Sequence, residues 1–206
     1  AIAKGLHERG FNILLFDLRA SGESEGDYFS SGYFEKFDVL GAFDYLVHEK
    51  KIESNKICLL GSSMGGSSSI YASAEESEIK ALVVDSTFAD ANKLVAQEIQ
   101  MQVKAPRWLV VSFMPMFRFF ARNVYGIWLN RMKPVDIVKQ ISYPILVIHG
   151  LDDSRIPSED SVRIHKSAFP GSQIWLVPSA EHTDAFRVDP QLYLNRVTKY
   201  FYKRLG

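Results

Sequence analysis

Short apolar runs alternate along the chain with segments whose apolar residues recur at helical spacing. Five of these runs have the length and composition of buried strands. They are Asn12–Asp17, Lys56–Gly61, Ala81–Asp85, Pro144–His149 and Ile174–Val177. Because the runs are apolar throughout rather than alternating, they are typical of parallel strands covered by helices on both faces.

The segments between the runs predict helices. Helical spacing is found over Tyr33–Lys50, Met64–Ala74, Ser158–Ser167 and Pro190–Arg204. The first ten residues resemble the last turns of a helix that ends at a glycine. Strands that alternate with helices form βαβ units, so we expect residues 1–206 to be a single α/β domain with a mostly parallel sheet.

One interval, Thr87–Tyr143, is too long for a single crossover helix, and we predict a helical cap insertion there. It is rich in aromatic residues. Its most apolar part, Trp108–Phe117, is too short to span a bilayer and is interrupted by Pro115, which excludes a transmembrane helix. We interpret this run first as the packing core of the cap, second as an apolar wall for an acyl or aromatic substrate, and third as a contact with a membrane surface.

Charge and cysteine content exclude several classes of protein. The chain has 24 Lys and Arg against 24 Asp and Glu, so no long-range field attracts nucleic acid or an anionic membrane, and no basic cluster favours either partner. Cys58 is the only cysteine, which rules out an internal disulfide, and its apolar surroundings predict a small buried hydrophobe. The sequence shows no signal peptide and no spacing of metal ligands.

The pattern G-x-S-x-G, which is found around nucleophilic serines, occurs twice. Gly61–Gly65 follows a predicted strand and precedes a predicted helix, which is the strand–turn–helix context of a nucleophile elbow. Gly22–Gly26 lies in a loop beyond its strand, and its two glutamates would oppose the negative charge of an acyl-transfer transition state. We therefore predict Ser63 as the nucleophile and the Met64 N–H as an oxyanion donor.

A nucleophilic serine needs a base, and the chain has five histidines. His7, His48 and His165 lie on predicted surface helices, and His149 ends a strand, where we expect a structural role. His182 is in the loop after the last strand, at the edge where α/β sheets place their chemistry, so we predict it as the base.

A carboxylate that orients the histidine is expected after the fourth predicted strand. Asp152 and Asp153 both lie there, and the residues alone leave both open.

Four blocks of the sequence together resemble the α/β-hydrolase superfamily, especially its Bem46-like and dipeptidyl-peptidase-like serine hydrolases. The blocks are Phe16–Ser24, Gly61–Gly66, His149–Pro157 and Glu181–His182. The resemblance implies the α/β-hydrolase fold and a triad of Ser63, Asp153 and His182, because the family's acid lies three residues after the glycine of the HG block. Asp152 is then a turn residue, and Asp85 is the position used by a minority of these enzymes.

The chain also departs from the family pattern. Ala20 and Glu181 stand where the family usually has glycine, and we expect Glu181 to raise the pKa of His182. The family's early strands, including the loop that gives a second oxyanion N–H, have no counterpart here. We therefore expect a break in the sheet between the first two predicted strands, as in part of a longer protein. Several relatives begin with a membrane anchor, so a lost anchor is the alternative to a cytoplasmic location.

The function expected from these observations is that of a serine hydrolase without metal or organic cofactor. Its substrate would be a small-molecule ester, acyl compound or peptide, with carboxylic esters first because they demand least of the leaving group. Thioester or amide hydrolysis and acyl transfer use the same chemistry. The alternative is an inactive binding or regulatory module on the same fold. The sequence does not predict an oligomeric state.

Overall fold

A parallel four-stranded sheet lies at the centre of the computed structural model, which describes all 206 residues. The strands are β1 (Cys58–Ser62), β2 (Ala81–Asp85), β3 (Leu146–Gly150) and β4 (Gln173–Val177). They lie side by side in this order, and every neighbouring pair is parallel. Ser62 pairs with Asp85, so β1 and β2 end at the same level and their following loops share one edge of the sheet.

Nine α-helices surround the sheet. They are α1 (Ile2–His7), α2 (Lys36–Asp44), α3 (Met64–Glu75), α4 (Ala91–Val103), α5 (Arg107–Tyr125), α6 (Pro134–Ile137), α7 (Ser158–Ser167), α8 (Ala185–Val188) and α9 (Pro190–Leu205). A π-helical turn, Tyr45–Glu49, continues α2, and short 3₁₀ turns lie at Ser54–Lys56, Leu129–Arg131 and Val138–Gln140. None of the helices combines the length and apolar character needed to cross a bilayer.

Both faces of the sheet are buried. Alternate residues of a strand point to opposite faces, so Ala81 and Val83 pack on the side of α1 and α9, whereas Leu82 and Val84 pack on the other side with residues of α3 and α7. This two-sided burial explains the uninterrupted apolar runs and confirms the predicted α/β-hydrolase fold class. Cys58 contributes to the same packing, and burial raises the pKa of its thiol to about 12.

The first predicted strand, Asn12–Asp17, is wrong. The segment has no regular secondary structure and pairs with no strand, and Leu15 and Phe16 are 75% and 45% exposed. An apolar run becomes a buried strand only where a neighbouring strand supplies a hydrogen-bond ladder, and no strand lies beside this one. The only strand beside β1 is β2, so β1 lies at the edge of a continuous four-stranded sheet; the expected break between two strands is not observed, because Asn12–Asp17 is not a strand.

The predicted cap insertion holds α4, α5 and α6 and contains no strand. Helix α5 has two contrasting sides. Val110, Met114 and Ala121 are buried, whereas Trp108 and Phe119 are 70% and 64% exposed. The interpretation of Trp108–Phe117 as a packing core is therefore wrong for most of the run, because only one stripe of this helix has a surface to pack against.

Candidate active site

Ser63 lies in the sharp turn between strand β1 and helix α3. β1 ends at the residue before it, and α3 begins at the residue after it. Its backbone has φ +51° and ψ −117°, which is rare for any residue except glycine. Strained backbone conformations of this kind cluster at active sites. The Ser63 N–H donates to the carbonyl of Asp85 at 2.8 Å, which ties the turn to the neighbouring strand. This is the geometry of a nucleophile elbow.

Glycines make room for this turn. A Cβ atom at Gly61 would lie 2.3 Å from the carbonyl oxygen of Gly65, and one at Gly66 would lie 1.9 Å from Oγ1 of Thr87. At Gly65 no atom lies within 4 Å of the same position. Packing therefore demands Gly61 and Gly66, whereas Gly65, the last glycine of the G-x-S-x-G pattern, has space for a methyl group.

The structure brings Ser63, His182 and Asp153 into one hydrogen-bonded line. Nε2 of His182 is 3.0 Å from Oγ of Ser63, and Nδ1 of the same ring is 2.8 Å from Oδ2 of Asp153. An ionised carboxylate only accepts hydrogen bonds, so the ring proton belongs on Nδ1 and Nε2 is free to accept the serine proton. This arrangement suits transfer of a proton from Ser63 to His182.

Asp153 is buried at the start of the loop after β3, and both of its oxygens are engaged. Oδ1 accepts the N–H groups of Arg155 and Ile156 at 3.0 and 2.8 Å, while Oδ2 faces His182 and His149. Burial raises its pKa, but the hydrogen bonds from His149, His182 and the Ile156 N–H outweigh burial and hold the pKa of Asp153 well below its usual range. The side chain is therefore a carboxylate at neutral pH.

His149, for which a structural role was expected, contacts the acid of the site directly. Its ring is fully buried, with Nε2 3.1 Å from Oδ2 of Asp153 and 2.9 Å from the carbonyl of Ile156. Nδ1 is 2.6 Å from Oγ of Ser161 in α7. His149 thus joins the acid and its loop to the helix behind them, and its position before Gly150 is the sole sequence signal that pointed to it.

Asp85 has no hydrogen bond to His182. Its oxygens accept from the hydroxyls of Ser86 and Tyr193, both at 3.0 Å, and Ser86 Oγ in turn accepts the N–H of Thr183 at 3.1 Å. Burial raises the pKa of Asp85, and these two hydroxyl groups oppose that shift. Asp85 is therefore linked through Ser86 to the loop that contains His182, and it makes no hydrogen bond to the imidazole itself.

The structure also locates Glu181, Met64 and Asp152, the other residues that the sequence singled out. Glu181 accepts from the N–H and hydroxyl of Ser154 at 3.1 and 3.0 Å, so it joins the two loops and is not hydrogen-bonded to the ring of His182. Met64 is the first residue of α3, where backbone N–H groups lack intrahelical acceptors and the helix dipole is positive. Asp152 is exposed and its side chain makes no hydrogen bond within the protein. No cluster of three or more potential metal ligands is present.

Comparison with known proteins identifies the family of this chain. The sequence profile of the prolyl oligopeptidase family matches residues 2–183. The uncharacterized protein YfhR of Salmonella typhi is 29% identical over 193 residues, which cover 88% of this chain and 58% of YfhR. YqkD of Bacillus subtilis is 26% identical over 193 residues, which cover 93% of this chain and 62% of YqkD, so the chain spans less than two thirds of either relative.

Solved structures share the fold. The esterase Pf2001 of Pyrococcus furiosus superposes with a TM-score of 0.77 and is 26% identical, with 98% of this chain and 75% of that chain covered. The α/β hydrolase GrgF of Penicillium sp. sh18 superposes with a TM-score of 0.76 at 18% identity, covering 99% of this chain and 83% of its own, which shows the fold alone.

Proposed function

We propose an acyl-enzyme chemistry at Ser63 for this chain, which belongs to the prolyl oligopeptidase family and is a hydrolase of the α/β-hydrolase fold. The proposed substrate is a carboxylic ester. The observation that carries the proposal is the hydrogen-bonded line from Ser63 through His182 to Asp153. A serine hydroxyl is a weak nucleophile near pH 7, and this line is the arrangement that activates it.

Each group has one task in the proposed reaction. Nε2 of His182 takes the Ser63 proton as Oγ attacks the carbonyl carbon, and the Met64 N–H stabilises the resulting oxyanion. The imidazolium then protonates the departing alkoxide, which leaves an acyl group on Ser63. A water molecule gives a proton to His182 and attacks this acyl group, and the returned proton restores Ser63. Asp153 stabilises the imidazolium in both halves.

Support for an ester over an amide comes from the Pyrococcus furiosus esterase, which is 26% identical to this chain over most of its length. An ester also demands less of the leaving group than an amide. The name of the family favours peptides, so amide hydrolysis is the second candidate. An inactive module is the least supported alternative, because Ser63, His182 and Asp153 all lie within hydrogen-bond distance of their partners.

A fluorophosphonate probe with intact-mass detection tests the nucleophile. We expect one adduct on the wild-type chain, the same adduct on Ser24→Ala, and none on Ser63→Ala. Ser24→Ala is the matched control because it removes the serine of the other G-x-S-x-G match. Thermal melts of all three proteins establish that they are folded. An adduct that persists in folded Ser63→Ala would reassign the nucleophile.

Paired substrates then separate ester from amide hydrolysis. We expect p-nitrophenyl acetate and butyrate to be hydrolysed with Ser63-dependent turnover, and aminoacyl p-nitroanilides to be hydrolysed more slowly. Faster Ser63-dependent release of nitroaniline than of nitrophenol would replace the esterase assignment by a peptidase one. A folded wild-type chain that neither forms the fluorophosphonate adduct nor turns over either class of substrate would support the inactive module.

A further inference from the structure

Helix α5 exposes a large apolar surface. Nine large apolar side chains of this helix are more than 40% exposed. They are Trp108, Val111, Phe113, Met116, Phe117, Phe119, Phe120, Val124 and Tyr125. At 3.6 residues per turn, four of them lie on the half of the helix opposite the buried stripe of Val110, Met114 and Ala121. These four, which we call the apolar face of α5, are Trp108, Met116, Phe119 and Phe120. Single exposed apolar residues are normal on a protein surface, but a contiguous group along one helix marks an interaction site.

The segment of the chain that contains this helix carries charge of one sign. Between Ile99 and Val135 the chain has no Asp or Glu, and it has six cationic residues. They are Lys104, Arg107, Arg118, Arg122, Arg131 and Lys133, and none of them forms an ion pair. The balanced total charge of the chain therefore conceals a basic segment in the cap, which corrects the expectation that no basic cluster is present.

Helix stability explains only part of these cations, since Arg122 lies in the last turn of α5, where the helix dipole favours a positive charge. Arg107 is the first residue of α5, at the end where the helix dipole disfavours a positive charge, and the first turn holds no acidic residue. Arg122 and Arg131 lie over the ring of Trp128, with guanidinium carbons 3.8 and 4.4 Å from its centroid, and both remain exposed. Their charges are therefore available to an external partner.

A cavity of about 560 Å³ between α4 and α5 has the same character. Its lining includes three cationic side chains, those of Lys93, Arg107 and Arg118, above an apolar floor that includes Met114. Its one acidic residue, Asp160, is already engaged by the Ala89 N–H and by Arg163. The cavity therefore suits a molecule with an anionic head and an apolar tail.

We propose that the apolar face of α5 docks on an anionic lipid bilayer. Tryptophan and phenylalanine side chains enter the boundary between headgroups and acyl chains, and the surrounding Lys and Arg side chains contact lipid phosphates and carboxylates. An amphipathic helix with aromatic residues on one side and cations around them is the usual form of such a contact. The helix lies on the bilayer and does not cross it.

A second copy of this chain fits the same face less well. In a two-fold symmetric dimer the same patch meets itself, so a segment with six cations and no carboxylate would oppose its own charges. Like charges brought together across an interface cost several kcal/mol. An anionic membrane satisfies the apolar and the cationic residues together, which neither a second copy nor water does.

Flotation with vesicles tests the apolar part of the proposal. We expect wild-type protein and Ser63→Ala to float with phosphatidylcholine vesicles that contain phosphatidylserine, and Phe119→Glu to lose this binding. Phe169→Glu is the matched control, because Phe169 is also exposed but precedes β4, at the opposite edge of the sheet from the loops of the site. Equal binding by Phe119→Glu and Phe169→Glu would overturn the proposal. Because Ser63→Ala is expected to bind, this assay is independent of the proposed chemistry.

A matched pair of double variants tests the electrostatic part of the proposal. Neutralising two cations in Lys104→Gln/Arg107→Gln should weaken vesicle binding about 10-fold or more, since each Lys or Arg near an anionic surface contributes about 1 kcal/mol. Lys199→Gln/Lys203→Gln on α9 should leave binding unchanged. The proposal would be overturned if the wild-type protein bound equally well to vesicles with and without phosphatidylserine. It would also be overturned if the wild-type protein sedimented as a dimer and Phe119→Glu as a monomer, because the apolar face would then be the contact with a second copy.

Discussion

The two G-x-S-x-G segments have the same residue pattern, but positive φ angles fall on different residues in the two. In Gly61–Gly65 the serine has the positive φ, +51°, and neither glycine does. In Gly22–Gly26 both glycines have positive φ, +56° and +128°, and the serine does not. Glycine adopts such angles at no steric cost, so the second segment is a relaxed loop. The first holds a side-chain-bearing residue in a strained conformation, which is the usual mark of a functional site.

The partners of the two serines differ as well. Ser63 Oγ faces Nε2 of His182, a group that can take its proton. Ser24 Oγ donates to the carbonyl of Asp17 at 2.8 Å, within a loop that wraps around the carboxylate of the same residue. The pattern alone therefore says little about chemistry. What separates the two segments is the strand that leads into one of them and the histidine that meets its serine.

Replacing each serine by alanine gives the largest expected difference between the segments. Ser63→Ala should lower kcat for a p-nitrophenyl ester on the order of 10⁶-fold, as for loss of the nucleophile in a serine hydrolase. Ser24→Ala removes one hydrogen bond of a surface loop and should leave kcat within about twofold. Steady-state kinetics of both variants measure this, and a comparable loss in Ser24→Ala would abolish the distinction.

The acid that supports Ser63 gives the next largest effect. Asp153→Asn should lower kcat about 10⁴-fold, because an amide stabilises the imidazolium poorly and favours the wrong tautomer of His182. Asp152→Asn, at the adjacent exposed position, should change kcat little. If Asp152→Asn were the damaging change, the assignment of the acid would have to be reversed.

The glycines of the elbow should respond unequally. Gly61→Ala places a methyl group against the Gly65 backbone, and we expect a loss of about 3 kcal/mol or more in the free energy of unfolding. Gly65→Ala meets no neighbouring atom and lies in the first turn of α3, so its stability should change by less than about 1 kcal/mol, in the favourable direction. Urea denaturation followed by circular dichroism compares the two.

A smaller effect is expected in the dependence of stability on pH. The folded protein holds the pKa of Asp153 below its usual value near 3.9, so this carboxylate stabilises the fold above that pH. The contribution is lost as the pH falls below about 4 toward the folded-state pKa. The stability difference between wild type and Asp153→Asn should therefore shrink over that range. Denaturation curves at several pH values measure it, and a difference that stays constant would refute the linkage.

Local sequence features determined most of the fold and the identity of the reactive groups. Four of the five predicted strands are present with ends shifted by at most two residues, because runs of apolar residues between turns carry their own secondary-structure signal. The glycines around Ser63 and the loop position of His182 also depend on neighbouring residues in the chain. These features were sufficient to predict Ser63 and His182 at the carboxyl edge of the sheet, whereas the choice of Asp153 over Asp152 came from the family resemblance.

Tertiary structure decided what depends on distant neighbours. The ring of His182 meets Ser63, and Asp85 reaches the loop of His182 through Ser86, because strands far apart in sequence end at the same edge of the sheet. Asn12–Asp17 does not form a strand, because no strand lies beside it, and α5 exposes most of its aromatic residues, because only one stripe of this helix has a surface to pack against. Pairing and burial are properties of two surfaces in contact, and an apolar run specifies only one of them.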